Sequence, residues 1–222
     1  MDQNLPKKSI LSLFLLMLIT TLGHAQKADP YAGEVAALQT KYDSIWDATR
    51  PTMVFTGSSS IRMWNDLGDR FPDRQIVNSG FGGSQFSDLE NYLEELVLAY
   101  APVKAFIYEG DNDLSAGKRQ REIIKSAERV IGRLQESLPT IEIILISPKP
   151  SIARWELRGK YKRLNRKLAR LAKKTPGVEF VDVWNPMMED RKVQEDLFLD
   201  DGLHMNTKGY DIWYEQLKNQ VE

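Results

Sequence analysis

The sequence TMVFTGSSS at residues 52–60 contains the strongest indication of the fold. Residues 52–56 are largely apolar or β-branched, which is typical of a short strand buried on both faces. The next four residues, Gly57-Ser58-Ser59-Ser60, favour a turn or a helix cap and therefore end the strand. Four further runs of the same kind predict strands at residues 75–78, 103–108, 142–147 and 178–181.

Amphipathic helical patterns separate these predicted strands. Apolar residues recur three and four positions apart within residues 86–100, 123–138 and 157–171, and a last helix is predicted around Tyr210, Trp213 and Leu217. Parallel strands need a crossover connection, which is usually a helix. The alternation predicts an α/β fold, a three-layer α/β/α sandwich with a parallel sheet of about five strands.

Composition narrows the classes of function. Of the 222 residues, 42% are hydrophobic and 27% are charged, which suits one globular domain. The net charge is −1, so no excess of positive charge favours a nucleic acid or an anionic membrane as partner. The chain has no Cys and two His, which excludes thiol nucleophiles and thiolate metal sites and leaves little imidazole for a metal.

The N-terminus has the pattern of a secretory signal peptide. Lys7 and Lys8 precede an apolar run over residues 10–22, and small residues follow up to Ala25. The run is about 13 residues long, shorter than the roughly 18 to 20 of a membrane-spanning helix, although an uncleaved anchor is the alternative. We expect cleavage after Ala25, export to the periplasm or the medium, and a mature domain over residues 26–222 that retains a single histidine, His204.

Polar segments follow the predicted strands, at the edge where parallel sheets bind ligands. They are Gly57–Ser60 and the segments 78–83 and 109–113, and Asp201 and His204 precede the last helix. Acyl transfer needs a hydroxyl nucleophile, an imidazole base, a carboxylate that orients the base, and donors for the oxyanion. This edge offers one of each.

The spacing of Asp201 and His204 brings the two side chains to the same side of a turn or helix start. Asp201 would then hold one ring nitrogen of His204 while the other faces Ser59. The backbone N–H groups of Ser59 and Gly83 and the side-chain amide of Asn112 are candidate oxyanion donors. These residues predict a serine acylhydrolase.

The four blocks resemble those of the GDSL or SGNH hydrolases, a family named for a Ser, a Gly, an Asn and a His in separate motifs. This resemblance makes Ser59 the nucleophile, Gly83 and Asn112 the oxyanion residues, and Asp201 and His204 the remaining catalytic pair. It implies an esterase or acylhydrolase on a flavodoxin-like sheet, with no metal and no organic cofactor.

One residue departs from the family pattern. Ser58 stands where the family usually has the Asp of Gly-Asp-Ser, and the closest resemblance is to a bacterial branch that reads Gly-Ser-Ser-Ser. The change affects the hydrogen bonds expected around the nucleophile loop. Ser60 is the rival nucleophile.

The segment at residues 148–155 follows the fourth predicted strand and therefore lies at the same edge. Arg154 would pair with a carboxylate or hydrogen-bond a sugar, and Trp155 would stack on a ring or cover an acyl group. Trp64 is close enough to Ser59 in sequence to line the pocket, although core packing is its other interpretation. These three residues are the predicted substrate contacts.

The leading interpretation is an exported serine esterase that removes a short acyl group, acetyl, from a small-molecule or carbohydrate ester. Lipid, phospholipid or thioester substrates would use the same groups. A non-catalytic carbohydrate-binding protein is the alternative from another class, suggested by Ser58. A flavin-binding module is poorly supported.

Overall fold

The computed structural model describes residues 29–221, and the predicted signal peptide at residues 1–25 lies outside this range. Within the described residues, parallel strands form a five-stranded main sheet: β1 (Thr52–Gly57), β2 (Gln75–Gly80), β3 (Lys104–Tyr108), β4 (Glu142–Ile146) and β5 (Val178–Val181). Each lies at a predicted position, and β2 continues past its predicted end to Gly80.

Helices connect the strands, and two further short strands pair as a hairpin, β6 (Met188–Glu189) with β7 (Lys192–Val193). The helices are α1 (Ala32–Asp43), α2 (Ser59–Arg62), α3 (Phe86–Asn91), α4 (Leu93–Leu96), α5 (Asp111–Ser115), α6 (Gln120–Ser137), α7 (Arg158–Lys174) and α8 (Thr207–Val221). No helix among residues 29–221 has the length and apolar character needed to span a membrane.

The predicted helical segment at residues 86–100 is not one continuous helix. The backbone leaves the helical region at Tyr92 and again at Val97, so α3, α4 and a single 3₁₀ turn (Leu98–Tyr100) share the segment. The apolar residues of the predicted face are nevertheless all buried. The spacing of the apolar residues therefore indicated which face is buried, and did not indicate that the helix is continuous.

The strand order is β2-β1-β3-β4-β5, with every neighbouring pair parallel. This is the flavodoxin-like order, in which the direction of winding reverses between β1 and β3. In sheets of this order, the ligand-binding crevice lies at that point, outside the carboxyl ends of the strands. The short helices α2 and α5, which follow β1 and β3, contain Ser59 and Asn112, so the topology places both residues at this edge of the sheet.

Two hydrophobic cores cover the two faces of the sheet. Val54 and Ile107 point into one core, under α6 and α7, while their neighbours Phe55 and Phe106 point into the other, under α8. Successive strand residues alternate between faces, so both cores are built from the same strands. The three-layer α/β/α prediction is confirmed.

Candidate active site

The last residue of β1 must be glycine. Gly57 has φ +124°, and a Cβ at this residue would lie 2.0 Å from the backbone oxygen of Tyr108 in β3. The next N–H, of Ser58, donates to that same oxygen at 3.1 Å. The chain then enters α2 with Ser59 as its first residue, where a backbone N–H has no acceptor within the helix.

Three side chains form a continuous hydrogen-bonded chain at this point. Ser59 Oγ lies 2.9 Å from His204 Nε2, and His204 Nδ1 lies 2.6 Å from Asp201 Oδ2. The structure therefore brings together the hydroxyl, imidazole and carboxylate that the sequence predicted, from positions 145 residues apart for the serine and histidine. A base in this arrangement can accept the hydroxyl proton while the carboxylate holds its other nitrogen.

Asp201 is fixed by its own loop. Its Oδ1 accepts the backbone N–H groups of Leu203 and His204, each at 2.9 Å. Burial raises the pKa of Asp201, but hydrogen bonds from the His204 ring and from these two N–H groups outweigh it and hold the pKa at about 2. Asp201 therefore remains ionised across the neutral pH range, with one oxygen left for the imidazole.

Ser60 occupies a different environment from Ser59. It is 3% exposed, and its backbone oxygen accepts the hydroxyl of Tyr210 at 2.9 Å. His204 Nε2 contacts Ser59 Oγ instead. The geometry thus favours Ser59 over the rival nucleophile.

Of the predicted oxyanion residues, Gly83 lies in the loop after β2 and Asn112 lies in α5. Gly83 has φ +77°, a conformation that glycine adopts without strain. Asn112 Nδ2 donates to the backbone oxygen of Ser84 at 2.9 Å, which ties Asn112 to the residue directly after Gly83. An amide NH₂ has two hydrogens, so one remains for a substrate oxygen.

Arg154 has a structural role that the sequence did not reveal. Its guanidinium pairs with Asp111, and Nη2 donates to Asn112 Oδ1 at 3.1 Å. The contact fixes which way the Asn112 amide points, because its oxygen faces the arginine and its nitrogen faces Ser84. Contact between Arg154 and a substrate stays a prediction.

Of the two tryptophans predicted to contact substrate, one does not fit. Trp64 is 0% exposed and stacks on Tyr210 with ring centroids 5.4 Å apart. The chain after α2 folds back onto the sheet and buries this indole in the core under α8, so the predicted substrate contact of Trp64 is wrong. Trp155 is half-buried and stacks on Trp184 at 6.4 Å, and its contact with a substrate stays a prediction.

Buried charged and polar side chains form a hydrogen-bonded network around Asp111, the residue before Asn112. Asp111 accepts hydrogen bonds from the hydroxyls of Tyr108 and Tyr161 and from Arg154. Burial raises the pKa of Asp111, but the positive charges of Lys149 and Arg154 and the hydrogen bonds outweigh it, so the pKa falls below its ordinary value. Through Arg154, the network connects Asn112 to the segment at residues 148–155, which follows β4.

Lys149 extends this network to the histidine loop. It is 1% exposed, and its Nζ donates to the backbone oxygen of Leu203 at 2.6 Å, directly before His204. Burial lowers the pKa of Lys149 to about 8, and the carboxylate of Asp111 opposes part of that shift. A buried lysine at this place was not predicted, because only the tertiary structure brings residues 149 and 203 together.

The shifted pKa of Lys149 gives a testable dependence of stability on pH. Between about 8 and the ordinary value of 10.5, the unfolded chain binds a proton at Lys149 that the folded chain does not. The free energy of unfolding therefore rises with pH in that window. In urea unfolding, the free energy of unfolding of the natural protein should rise from pH 8 to pH 10 relative to that of Lys149→Met. The same pH dependence of this free energy in both proteins would contradict the lowered pKa of Lys149.

Glu109 is a buried carboxyl group next to the oxyanion loop, which is the loop of residues 81–85 that contains the predicted oxyanion residue Gly83. Its Oε1 lies 2.6 Å from Ser84 Oγ, and its Oε2 has no hydrogen-bond partner among the described residues. Burial, together with the carboxylates of Asp113, Asp88 and Asp111, raises the pKa of Glu109 well above its ordinary value. The Ser84 hydroxyl donates to this Oε1 atom and also lies 3.1 Å from the backbone oxygen of Phe81.

Replacing Asn112 with alanine should lower kcat by about 10²- to 10³-fold, the usual effect of losing one oxyanion donor. The fold should persist, because Asn112 is only partly buried. Steady-state kinetics with a p-nitrophenyl ester and thermal unfolding of the same preparation provide the check. A loss below threefold would remove Asn112 from the oxyanion site.

No set of three or more Asp, Glu or His side chains in residues 29–221 is arranged to hold a metal ion.

The fold and the site together define an α/β/α hydrolase of ester bonds. A model of the GDSL-like Lipase/Acylhydrolase family matches residues 43–212. The chain belongs to this family, as its four sequence motifs indicated.

Solved structures show the same fold. A protein from Streptococcus pneumonia, provisionally described as a platelet activating factor, is 26% identical with a TM-score of 0.75, covering 86% of this chain and 94% of that one. A GDSL-like lipase from Bacteroides thetaiotaomicron is 23% identical with a TM-score of 0.68, covering 86% and 95%. A catalytic mutant of an acetylxylan esterase from Geobacillus stearothermophilus is 18% identical with a TM-score of 0.65, covering 77% and 94%. No curated protein sequence matches significantly.

Proposed function

We propose that this hydrolase is a serine esterase in which Ser59, His204 and Asp201 form the catalytic triad. The observation that carries the proposal is the hydrogen-bonded chain from Ser59 Oγ through both ring nitrogens of His204 to Asp201. An ionised Asp201 favours the tautomer with a proton on Nδ1, which leaves Nε2 free to accept the proton of Ser59.

The reaction follows from these positions. Ser59 Oγ attacks the ester carbonyl as His204 Nε2 takes its proton, and the N–H groups of Ser59 and Gly83 and the amide of Asn112 stabilise the oxyanion. His204 returns the proton to the leaving alkoxide, which departs as an alcohol and leaves an acyl-enzyme. Water then attacks the acyl-enzyme with His204 as base, and the acid is released.

A short acyl group, acetyl, on a carbohydrate is the substrate class that we propose. Trp155 offers a partly exposed indole next to Arg154, and aromatic faces suit sugar rings. A structural neighbour with the same fold is an acetylxylan esterase, which supports the carbohydrate ester by analogy of fold.

A panel of esters tests this substrate class. Initial rates should fall from p-nitrophenyl acetate to butyrate to octanoate, and acetylated xylo-oligosaccharides should release acetate, with Ser59→Ala as the blank. Faster hydrolysis of octanoate or of a phospholipid would indicate a lipid acylhydrolase instead. Absence of turnover together with absence of fluorophosphonate labelling at Ser59 would favour a non-catalytic binding protein.

We also propose export with cleavage after Ala25, supported by the charged, apolar and small-residue pattern of residues 1–25. The full chain, expressed in a bacterial host, should yield a product whose N-terminal sequence starts at Gln26 and which is recovered outside the cytoplasm. A product that retains residues 1–25 and fractionates with membranes would support an anchor.

A further inference from the structure

All of helix α1 except its last residue lies before residues 43–212, the segment that matches the family model. Its first turn nevertheless contacts the oxyanion loop. Both carboxylate oxygens of Glu34 accept the backbone N–H of Gly82, at 3.2 and 3.1 Å. The same carboxylate pairs with Arg62 Nη1 at 3.2 Å. Arg62 is the last residue of α2, the helix that starts with Ser59, so Glu34 joins the nucleophile helix to the oxyanion loop.

Tyr31 makes a second contact with this loop. Its hydroxyl donates to the backbone oxygen of Gly83 at 3.3 Å, and its ring packs edge-on against Phe81 at 5.2 Å. Burial, the negative charge of Asp88 and a hydrogen bond of the Tyr31 hydroxyl with that carboxylate raise the pKa of Tyr31 to about 12. The hydroxyl therefore keeps its proton, and its ability to donate, throughout the range in which an esterase is assayed.

These two contacts flank the peptide unit that carries the predicted oxyanion donor, the N–H of Gly83. Glu34 fixes the peptide plane before Gly82, and Tyr31 fixes the plane after Gly83. Peptide planes rotate about the Cα atoms between them, and two adjacent glycines leave these rotations unusually free. A Cβ at Gly83 would have no atom within 4 Å, so side-chain packing does little to hold this residue.

We propose that Glu34 and Tyr31 are positioning residues that hold the Gly83 N–H toward the substrate oxyanion. The inference rests on the proposed serine esterase mechanism and deepens it. Glu34→Ala should lower kcat by about tenfold, less than the loss of a whole donor, because the donor remains but is less well oriented. Tyr31→Phe should give a smaller loss in the same direction, because the hydrogen bond to Gly83 that it removes is long, at 3.3 Å, and Glu34 stays in place.

A tetrahedral adduct separates positioning from a merely structural role. A trifluoromethyl ketone accepts Ser59 Oγ at its carbonyl carbon, its oxygen becomes the oxyanion, and the serine proton passes to His204. If Glu34 orients Gly83, the inhibition constant of this ketone should rise in Glu34→Ala by the same factor as kcat/KM falls. If Glu34 only stabilises the fold, thermal unfolding changes and the inhibition constant of the folded enzyme does not.

Two variants act as controls for Glu34→Ala. Glu34→Gln keeps an acceptor for the Gly82 N–H while removing the charge that pairs with Arg62, so it should retain activity within about threefold. If the alanine variant fails to fold, Tyr31→Phe decides the question, because its inhibition constant for the ketone should rise only if these contacts orient Gly83. Glu94→Ala removes an exposed glutamate of α4 and should match the natural protein.

Wild-type enzyme in the same assay separates this inference from the mechanism on which it rests. Turnover in wild type that is lost in Ser59→Ala supports the mechanism, and unchanged kcat and ketone inhibition in Glu34→Ala would then overturn the positioning role alone. A loss in Glu34→Gln as large as in Glu34→Ala would also overturn it, because the acceptor would not be the feature that matters. Wild type that neither turns over esters nor binds the ketone would overturn the mechanism itself.

Discussion

Replacing Ser59 with alanine is expected to abolish measurable ester hydrolysis, with a fall in kcat of about 10⁴- to 10⁶-fold. Alanine has no hydroxyl to attack the carbonyl, so no acyl-enzyme forms, and only background catalysis by the oxyanion donors remains. Thermal unfolding should hardly change, because Ser59 is only partly buried and its side chain contacts His204 at the surface of the crevice.

Ser60→Ala is the matched control for this experiment. It removes a hydroxyl from the adjacent residue of the same helix, while the backbone oxygen that Tyr210 contacts is retained. The variant should keep activity within about threefold, since surface and minor core changes are commonly small in effect. Activity that survives in Ser59→Ala and disappears in Ser60→Ala would transfer the nucleophile to Ser60.

Replacing Asp201 with asparagine is expected to lower kcat by about 10³- to 10⁴-fold at neutral pH. The Oδ1 atom that accepts the N–H groups of Leu203 and His204 is retained, so the loop should keep its shape. The Oδ2 position becomes an NH₂ group, which donates to Nδ1 of His204. The imidazole then carries its proton on Nε2 and no longer accepts the proton of Ser59.

The pKa of Asp201 adds a second expectation to this experiment. With a pKa of about 2, Asp201 stays ionised from pH 4 upward, so its own protonation should not limit the natural enzyme in that range. Asp200→Asn, at the exposed neighbouring residue, is the matched control and should leave the pH profile unchanged. Activity within tenfold of wild type in Asp201→Asn would show that the imidazole works without this carboxylate.

Local pattern was sufficient for the strands and for the loops that follow them. The apolar runs of the central strands β1, β3 and β4 are buried on both faces, whereas Glu179 in the edge strand β5 is exposed. Such apolar runs are visible in the sequence without knowledge of the neighbouring strands. Helix α1 escaped prediction because only Val35 and Tyr42 along it are buried, which leaves a weak periodic signal. The single helix expected over residues 86–100 is interrupted because spacing reports which residues are buried and not whether the backbone is continuous.

The sequence by itself determined the α/β/α architecture, the family and the group of polar residues at the carboxyl edge of the sheet, because strand periodicity and short motifs are local properties. Only the tertiary structure decided what these residues contact: Trp64 lies in the core, Arg154 holds Asn112, and Glu34 reaches Gly82. Such contacts join positions far apart in the chain. Their hydrogen bonds depend on how layers and loops pack, which no local pattern records.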